Sequence, residues 1–427
     1  MTSLTKLPDL EKHKRRAAKQ RMQILKTLKD SDWSKYRRES CRYLRSYSAR
    51  VVAADYVHRR CKEGERFSSV EELQAAVESV NLFEPIGEPV DLKLIRKGTS
   101  GDCRLVQGFT FRQKVAHRVV DDLFREIGRT HPEQFAMRGG VNAAISHLKT
   151  LIEGKEKVWI AHLDIQSAYV HVNRKVVEEL IPLPNVVTRE QIFLSDHSLL
   201  QTKTNKLTPP TGNGLSVSVE DMADAFLAVR GFKGGVRSGL SQGAICSPIV
   251  LEMIVASDLI DLKLTEFSCY ADNFCITASS QEELVAKVKA LRAKFKANPC
   301  GPFHLEGLFI GEARQGFDFL GYHLTLRNGK VEVRPADNNL QKIENSYRSL
   351  MREYKYVSGS KRLLALDKLE REFRKWSATF CQSTDMERIL KHKRRRARRL
   401  KKQVCAQIAS TPAKGSDLSE PNDEVPF

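Results

Sequence analysis

The tetrapeptide Tyr270-Ala271-Asp272-Asn273 decides how this chain is interpreted. It lies between Glu266 to Cys269 and Phe274 to Thr277, two short runs rich in aromatic and β-branched residues that favour strands. Asp and Asn are common turn residues, so the pattern alone is that of an ordinary hairpin. An acidic residue at the tip of a hairpin is nevertheless well placed to hold a cation, and the rest of the sequence decides between the two interpretations.

The chain carries a strong positive charge. Its 427 residues include 71 Lys and Arg against 52 Asp and Glu, which gives a formal net charge of +19. This excess favours a polyanionic partner, most commonly a nucleic acid, because Lys and Arg neutralise phosphates and release condensed counterions. A merely basic, soluble surface is the alternative.

The sequence shows no sign of secretion or membrane insertion. The nine cysteines form no Cys-x-x-Cys pair and no zinc-type spacing, which favours buried thiols in a reducing compartment. The first residues lack the apolar core of a signal peptide, and the longest apolar stretch, from Pro248 to Ala256, is interrupted by Glu252. We therefore expect a cytoplasmic protein with no membrane partner.

A second candidate metal ligand lies well upstream of the hairpin. Residues Val158 to Asp164 predict a buried strand that ends in a carboxylate. A strand-terminal Asp is more often a helix N-cap than a ligand. Together with Asp272, however, Asp164 suits nucleotidyl transfer, in which anionic ligands from separate strands hold two Mg²⁺ ions about 4 Å apart.

A glycine-rich stretch from Gly239 to Pro248 lies between the two aspartates, and an apolar run from Ile249 to Leu259 follows it. Its glycines permit close backbone approach to a base pair, and Gln242 offers amide donors and an acceptor. A loop that caps a buried helix would explain this composition. It would not explain the order of the parts along the chain.

These stretches, in this order, resemble the three palm motifs of reverse transcriptases, and the resemblance covers roughly residues 90 to 380. The matching segments are Leu163-Asp164-x-x-x-Ala168-Tyr169, Gly239-Leu240-Ser241-Gln242-Gly243-x-x-x-Ser247-Pro248 and Tyr270-Ala271-Asp272. The resemblance implies an α+β right-hand polymerase fold, with fingers, a palm built from an antiparallel sheet and helices, and a helical thumb.

The same resemblance implies roles for individual residues. Asp164 and Asp272 would bind metal, with Asn273 beside them in the catalytic site. Gln242 would lie by the incoming nucleotide and the template, and Tyr169 would be the steric gate beneath the sugar. RNA polymerases of this architecture usually place an acidic residue at the gate position to accept a hydrogen bond from the 2′-hydroxyl, whereas Tyr169 would collide with that group. The implied substrates are therefore dNTPs, although a core aromatic residue at a strand end would share this geometry.

Two segments upstream of the palm motifs resemble the fingers of the same family. Lys97 to Val106 resembles the hairpin that holds the triphosphate, with Lys97 and Arg104 as its cations. A turn with two solvated cations is the alternative. Arg112 and the segment Phe135 to Gly140 resemble the next fingers motif, which lies along the template.

One segment downstream resembles the primer grip of bacterial and group II intron enzymes. Residues Phe317 to Tyr322 contain the Phe319-Leu320-Gly321 sequence that would hold the primer backbone, so that its 3′-end meets the metals. A buried strand with a glycine bend is the alternative, and it has nearly the same structure.

Asn273 departs from the family pattern, because it replaces the second aspartate of the usual Tyr-x-Asp-Asp. An amide oxygen can still coordinate a cation, but a site for two dications loses one negative charge. Since Asp164 and Asp272 are retained, we expect an active enzyme that uses two Mg²⁺ ions, or that prefers Mn²⁺. The alternatives are a catalytically altered or inactive RNA-binding scaffold of polymerase fold and an RNA-dependent RNA polymerase.

The chain is predicted to divide into four parts: a basic helical N-terminal extension (1–89), fingers and palm (90–335), a helical thumb with a basic helix at 391–402 (336–409), and a disordered tail (410–427). In the extension, basic residues alternate with aromatic ones that could touch nucleic acid: Trp33, Tyr36, Tyr43 and Tyr47. Their tyrosine hydroxyls, with that of Tyr354, are also candidates for a protein primer.

A short chain of this kind, with a helical extension and no nuclease signature, resembles the prokaryotic retron and defence-associated reverse transcriptases. The defence-associated group is preferred, because the sequence shows no convincing form of the retron thumb motif. The resemblance implies a noncoding RNA template, a DNA product and a role in antiphage defence. It leaves the primer open, and it allows a homo-oligomer or a companion defence protein.

Overall fold

The computed structural model describes residues 7–96, 103–202, 218–229 and 235–410. The predicted triphosphate ligand Lys97 and residues 411–427 of the predicted tail lie outside this part of the chain. The described residues form an α+β fold of two compact units. The first comprises Met1–Leu151 and Lys157–Glu312, and the second comprises Ile152–Glu156 and Ala313–Phe427.

Helices begin the first unit, in the segment that the sequence predicts to be helical (1–89). They are α1 (Leu10–Lys29), α2 (Trp33–Leu44), α3 (Tyr47–His58) and α4 (Val70–Glu78). Helices α2, α3 and α4 start at capping side chains, Asp32, Ser46 and Ser69, each of which accepts a backbone N–H from the first turn.

Two aromatic residues of these helices belong to the core, contrary to the expectation that they touch nucleic acid. Tyr36 and Tyr43 are 2% and 0% exposed. The Tyr36 hydroxyl donates to the carbonyl of Pro182 at 2.8 Å, and burial raises its pKa to about 12. Neither hydroxyl is therefore accessible as a primer.

The rest of the first unit is a mixture of strands and helices. In order they are β1 (Val90–Arg96), β2 (Cys103–Gly108), α5 (Phe111–Ile127), α6 (Gly140–Ile152), β3 (Trp159–Ile165), α7 (Ala168–His171), α8 (Arg174–Leu180), α9 (Asn185–Val187), β4 (Leu200–Gln201), α10 (Val219–Ala228), α11 (Ser247–Asp261), β5 (Phe267–Tyr270), β6 (Asn273–Ala278), α12 (Gln281–Lys296) and β7 (Leu305–Glu312). A π-helical turn, Thr188–Ile192, follows α9.

A four-stranded antiparallel sheet, in the order β5-β6-β3-β7, lies at the centre of this unit. The strand predicted to end at Asp164 is its inner strand β3, and the predicted hairpin is β5-β6. A second sheet has the order β2-β1-β4. One hydrophobic core extends from Leu7 to Phe303, so the N-terminal helices pack as part of this unit rather than as a separate extension.

The second unit begins with a three-stranded sheet and continues with long helices. Its elements are β8 (Phe317–Phe319), β9 (Tyr322–Arg327), β10 (Lys330–Pro335), α13 (Asp337–Tyr356), α14 (Ser360–Thr379) and α15 (Met386–Ser410). The sequence analysis predicted that residues 317–335 belong to the palm. In the structure these strands instead pack with the helices of the second unit. The Tyr322 hydroxyl donates to the carbonyl of Thr379 at 2.9 Å, and the Thr384 amide donates to that of Val333 at 2.9 Å.

Within the described residues, no helix has both the length and the apolar character needed to span a membrane.

Candidate active site

Strand register brings the predicted metal ligands together. Asp164 on β3 is the direct partner of Asn273 on β6, and the Ile165 amide donates to the carbonyl of Asp272 at 2.9 Å. Residues directly opposite each other on neighbouring strands project to the same face of a sheet, with Cβ atoms about 5 Å apart. Asp164 therefore lies beside the hairpin that carries Asp272.

The tip of the hairpin is a two-residue turn. Tyr270 pairs with Asn273, so Ala271 and Asp272 form the turn, and Ala271 has a positive φ of 55°. The side-chain amide of Asn273 donates to Oδ1 of Asp272 at 2.9 Å. A second aspartate at position 273 would repel Asp272 in the absence of a cation, whereas the amide stabilises its carboxylate.

Glu306 is a third acidic residue at this end of the sheet, and sequence reasoning did not identify it. It is exposed, and it is the direct partner of Asp164 on the opposite side of β3, in strand β7. Asn273, Asp164 and Glu306 therefore occupy successive strands on one face. The signal that reveals Glu306 is the β3-β7 register, which no local motif carries.

The oxygen donors present suit a hard divalent cation. Carboxylate and amide oxygens are the ligands that Mg²⁺ and Mn²⁺ prefer, and Asp164, Asp272 and Asn273 supply them. Across the described residues, no three His, Cys, Asp or Glu side chains lie close enough together to form a metal cluster. The residues fit a site centred on two carboxylates, with Glu306 in register beside them.

Tyr169, the predicted steric gate, lies in α7, just after the strand that carries Asp164. Its carbonyl accepts the Leu240 amide at 2.8 Å, and a Cβ on Gly239 would lie only 2.2 Å from the same oxygen. A glycine is thus required at position 239 for this close approach. Burial, with the nearby Asp272 carboxylate, raises the pKa of the Tyr169 hydroxyl well above its usual range, while Arg104 acts in the opposite direction. Tyr169, Asp272 and Arg104 are therefore electrostatic neighbours.

Gln242 lies in the loop that precedes α11, and this loop contacts Tyr169 on one side and the fingers strand β2 on the other. Its carbonyl accepts the Gln107 amide at 2.7 Å, and the side chain is half-buried. The Ser247 hydroxyl at the start of α11 donates to the carbonyl of Ser241 at 2.7 Å, which closes the loop onto that helix. The structure thus brings Gln242 near the gate.

The two predicted fingers arginines differ in their surroundings. Arg104 is exposed on β2. Arg112 donates to Glu88 at 2.5 Å and to the Ser79 hydroxyl at 3.2 Å. The guanidinium of Arg112 is thereby engaged by protein partners, so Arg104 is the better placed of the two to meet a ligand.

The predicted primer grip forms the turn between β8 and β9 in the second unit. Leu320 and Gly321 have φ values of 48° and 83°, as a tight two-residue hairpin turn requires. The Gly321 carbonyl accepts the Asn339 side-chain amide and the Ala336 amide, both at 2.9 Å. Phe319 is fully buried, so only the turn itself can present a surface to a primer.

Residues 95–324 match the model of the family described as "Reverse transcriptase (RNA-dependent DNA polymerase)". The match covers more than half of the chain, which therefore belongs to the reverse transcriptase family. Members of the family adopt the palm and fingers fold, and in general they use an RNA template, nucleotide substrates and divalent metal ions to make DNA. No curated protein is similar enough to the chain to serve as a relative.

Proposed function

We propose that this protein is an active RNA-directed DNA polymerase that adds dNTPs to a primer 3′-end at a metal site held by Asp164 and Asp272. The observation that carries the proposal is the register of β3 against β6, with Ile165 bonded to the carbonyl of Asp272. This register supports a site at which the carboxylate of Asp164, from β3, and that of Asp272, from the β5-β6 hairpin, lie close together. The family membership supplies the reaction class.

Each neighbouring side chain has a proposed part in the reaction. Divalent cations bound by Asp164 and Asp272 would lower the pKa of the primer 3′-hydroxyl and offset the charge of the triphosphate and the leaving pyrophosphate. Asn273 orients the Asp272 carboxylate through its amide. Arg104 binds the triphosphate, together with Lys97, and Gln242 contacts the nascent base pair.

Tyr169 selects the sugar in this proposal. The Leu240 amide fixes its backbone, and the carboxylate of Asp272 is its electrostatic neighbour. A ring held there occupies the space that a ribonucleotide 2′-hydroxyl would need. The expected substrates are therefore dNTPs rather than ribonucleotides.

The biological setting that we propose is antiphage defence with a noncoding RNA template. The support is the resemblance of this chain, with helices ahead of its fingers and palm, to retron and defence-associated enzymes. The net charge of +19 and the exposed basic face of α15 suit an RNA partner.

A polymerase-fold scaffold without activity is the second candidate. The observation that favours it is Asn273, which leaves one negative charge fewer at the site than the usual pair of aspartates. Such a protein would bind RNA but would not join nucleotides.

The deciding experiment combines the purified protein and its bound RNA with Mg²⁺ or Mn²⁺ and each labelled dNTP. We expect incorporation that Asp272→Ala abolishes, and sequencing of the product then identifies the template. The matched control is Asp261→Ala, which removes a helical acidic residue outside the site. Binding of RNA without incorporation under either metal would establish the scaffold instead.

A further inference from the structure

Glu252 is a fully buried acidic residue behind the catalytic hairpin. It lies in α11, where the sequence shows it only as an interruption of an apolar stretch, and 0% of its surface is exposed. An isolated buried carboxylate is unfavourable unless hydrogen-bond donors surround it. The hydrogen-bond donors around Glu252 therefore indicate the structural role of this carboxylate.

Three backbone amides from two separate segments donate to this carboxylate. Oε1 accepts the Ala136 amide at 2.8 Å and the Ala271 amide at 3.1 Å. Oε2 accepts the Met137 amide at 3.2 Å. One side chain thus connects the loop after α5 to the residue that immediately precedes Asp272.

The connected segments also pair through their backbones. The Phe135 amide donates to the carbonyl of Cys269, and the Cys269 amide donates to that of Glu133, both at 2.9 Å. In addition, the Gln134 side-chain amide donates to the backbone carbonyl of Glu252 at 3.0 Å. The loop is therefore fixed against β5 on one side and against α11 on the other.

Ala271 needs this support because of its conformation. Its φ of 55° is one that a residue with a Cβ rarely adopts, and its amide is turned into the protein, away from water. A buried amide without an acceptor would favour a different turn. A different turn would move Asp272, because the two residues are adjacent.

We propose that Glu252 is a positioning residue, whose carboxylate holds Ala271 in its positive-φ turn and thereby sets the place of Asp272 relative to Asp164. It does not touch substrate or metal. The inference rests on the proposed function for its catalytic consequence, but not for its structural one. Ala136 and Met137 share the same carboxylate, so a displacement of that loop reaches the hairpin through Glu252.

Two substitutions and one matched control test the proposal. Glu252→Met fills the space but accepts none of the three amides. Glu252→Gln keeps one oxygen, which can still bridge Ala136 and Ala271, while its amide group opposes the Met137 amide. The control, Asp258→Leu, removes another buried carboxylate of the same helix, which accepts the Asn298 side-chain amide at 2.6 Å.

The first readout is amide hydrogen exchange in peptides that cover residues 133–140 and 268–274, and it needs no activity. We expect Glu252→Met to lose protection in both peptides, Glu252→Gln to lose less, and Asp258→Leu to lose none there. Wild-type protection of both peptides in Glu252→Met would overturn the proposal, and so would an equal loss in Asp258→Leu. If Glu252→Met fails to fold, the graded loss in Glu252→Gln decides.

The second readout is the kinetics of dNTP incorporation. We expect Glu252→Met to lower kcat by about 100-fold, as a displacement of about 1 Å at a catalytic group can do, with KM for dNTP nearly unchanged. Glu252→Gln should restore part of this loss, whereas a merely structural role would move kcat and KM alike. If the wild-type protein incorporates no dNTP, the proposed function fails, and the exchange data still decide the role of Glu252.

Discussion

Asp164 and Asn273 face each other directly across strands β3 and β6. The family's usual second aspartate would therefore stand opposite Asp164, next to Asp272. In this chain the position holds a neutral amide that donates to Asp272 at 2.9 Å. The hairpin consequently carries one carboxylate at its tip, Asp272, where the family pattern has two.

Restoring the aspartate should strengthen metal binding. Asn273→Asp adds a negative charge beside Asp164 and Asp272, and we expect the Mg²⁺ concentration for half-maximal incorporation to fall by about tenfold. Metal titrations of dNTP incorporation measure this value. Asn185→Asp, which adds the same charge at the exposed start of α9, is the control. An unchanged or higher Mg²⁺ requirement in Asn273→Asp would contradict the proposed ligand site.

Removing the side chain of the gate should admit ribonucleotides. We expect Tyr169→Val to reduce the preference for dNTPs over ribonucleotides by about 100-fold, because the 2′-hydroxyl then meets no ring. Competition assays with each pair of nucleotides measure the preference. Tyr169→Phe keeps the ring and should keep the preference. Equal rejection of ribonucleotides by the Val variant would remove Tyr169 from the gate.

The exposed face of α15 should bind nucleic acid backbone. Arg395, Arg398 and Arg399 are exposed and have no ion-pair partner within the described residues, whereas Lys393 and Lys401 of the same helix pair with Glu344 and Asp367. Replacing the three arginines with Gln should weaken RNA binding and reduce the slope of log K against log salt by about 2 to 3. Filter binding at several salt concentrations measures the slope.

The matched control for α15 replaces three exposed cations of α13 with Gln: Lys342, Arg352 and Lys355. The same charge is lost, but from another helix. If both triple variants change the slope equally, net charge rather than the α15 face determines binding.

His117 should make the fold sensitive to acid. It is 2% exposed, and burial lowers its pKa from 6.5 to about 3. Below pH 6.5 the His117 imidazole therefore binds a proton in the unfolded chain but not in the native state. The corresponding part of the free energy of unfolding is fully present above pH 6.5 and is lost as the pH falls towards 3. We expect His117→Leu to remove about 3 kcal/mol of the stability difference between pH 7 and pH 4.5.

Urea unfolding of both proteins at the two pH values measures this difference in the free energy of unfolding. The exposed His392→Leu serves as the control, and it should leave the pH dependence as in the wild type. A His117→Leu variant that is as acid-sensitive as the wild type would contradict the assignment.

Local patterns predicted those parts of the site that depend on neighbouring residues. The aromatic and β-branched runs on either side of Asp272 predicted the hairpin, the apolar run before Asp164 predicted β3, and the apolar run after the glycine-rich stretch predicted α11. Helical spacing likewise gave α13 and α14. In each case the residues of the element itself were enough.

Long-range pairing produced what the sequence did not predict. Glu306 lies beside Asp164 only because β7 adds to the sheet in one register. The donors to Glu252 come from two loops that are distant from it in sequence. Tyr36 could be assigned to neither surface nor core from its helix alone, because its partner is the carbonyl of Pro182. None of these contacts has a local signature.

The close contact of Gly239 with the carbonyl of Tyr169 has an evolutionary consequence. The glycine and the Leu240 amide fix the backbone of residue 169, so its side chain can change while the loop around it stays in place. If Tyr169 is the gate that we propose, sugar preference is thus separable from folding. With the proposed gate, a single codon change at position 169 would switch the substrates of a lineage between dNTPs and ribonucleotides. Position 239, rather than position 169, would be the one that tolerates no change.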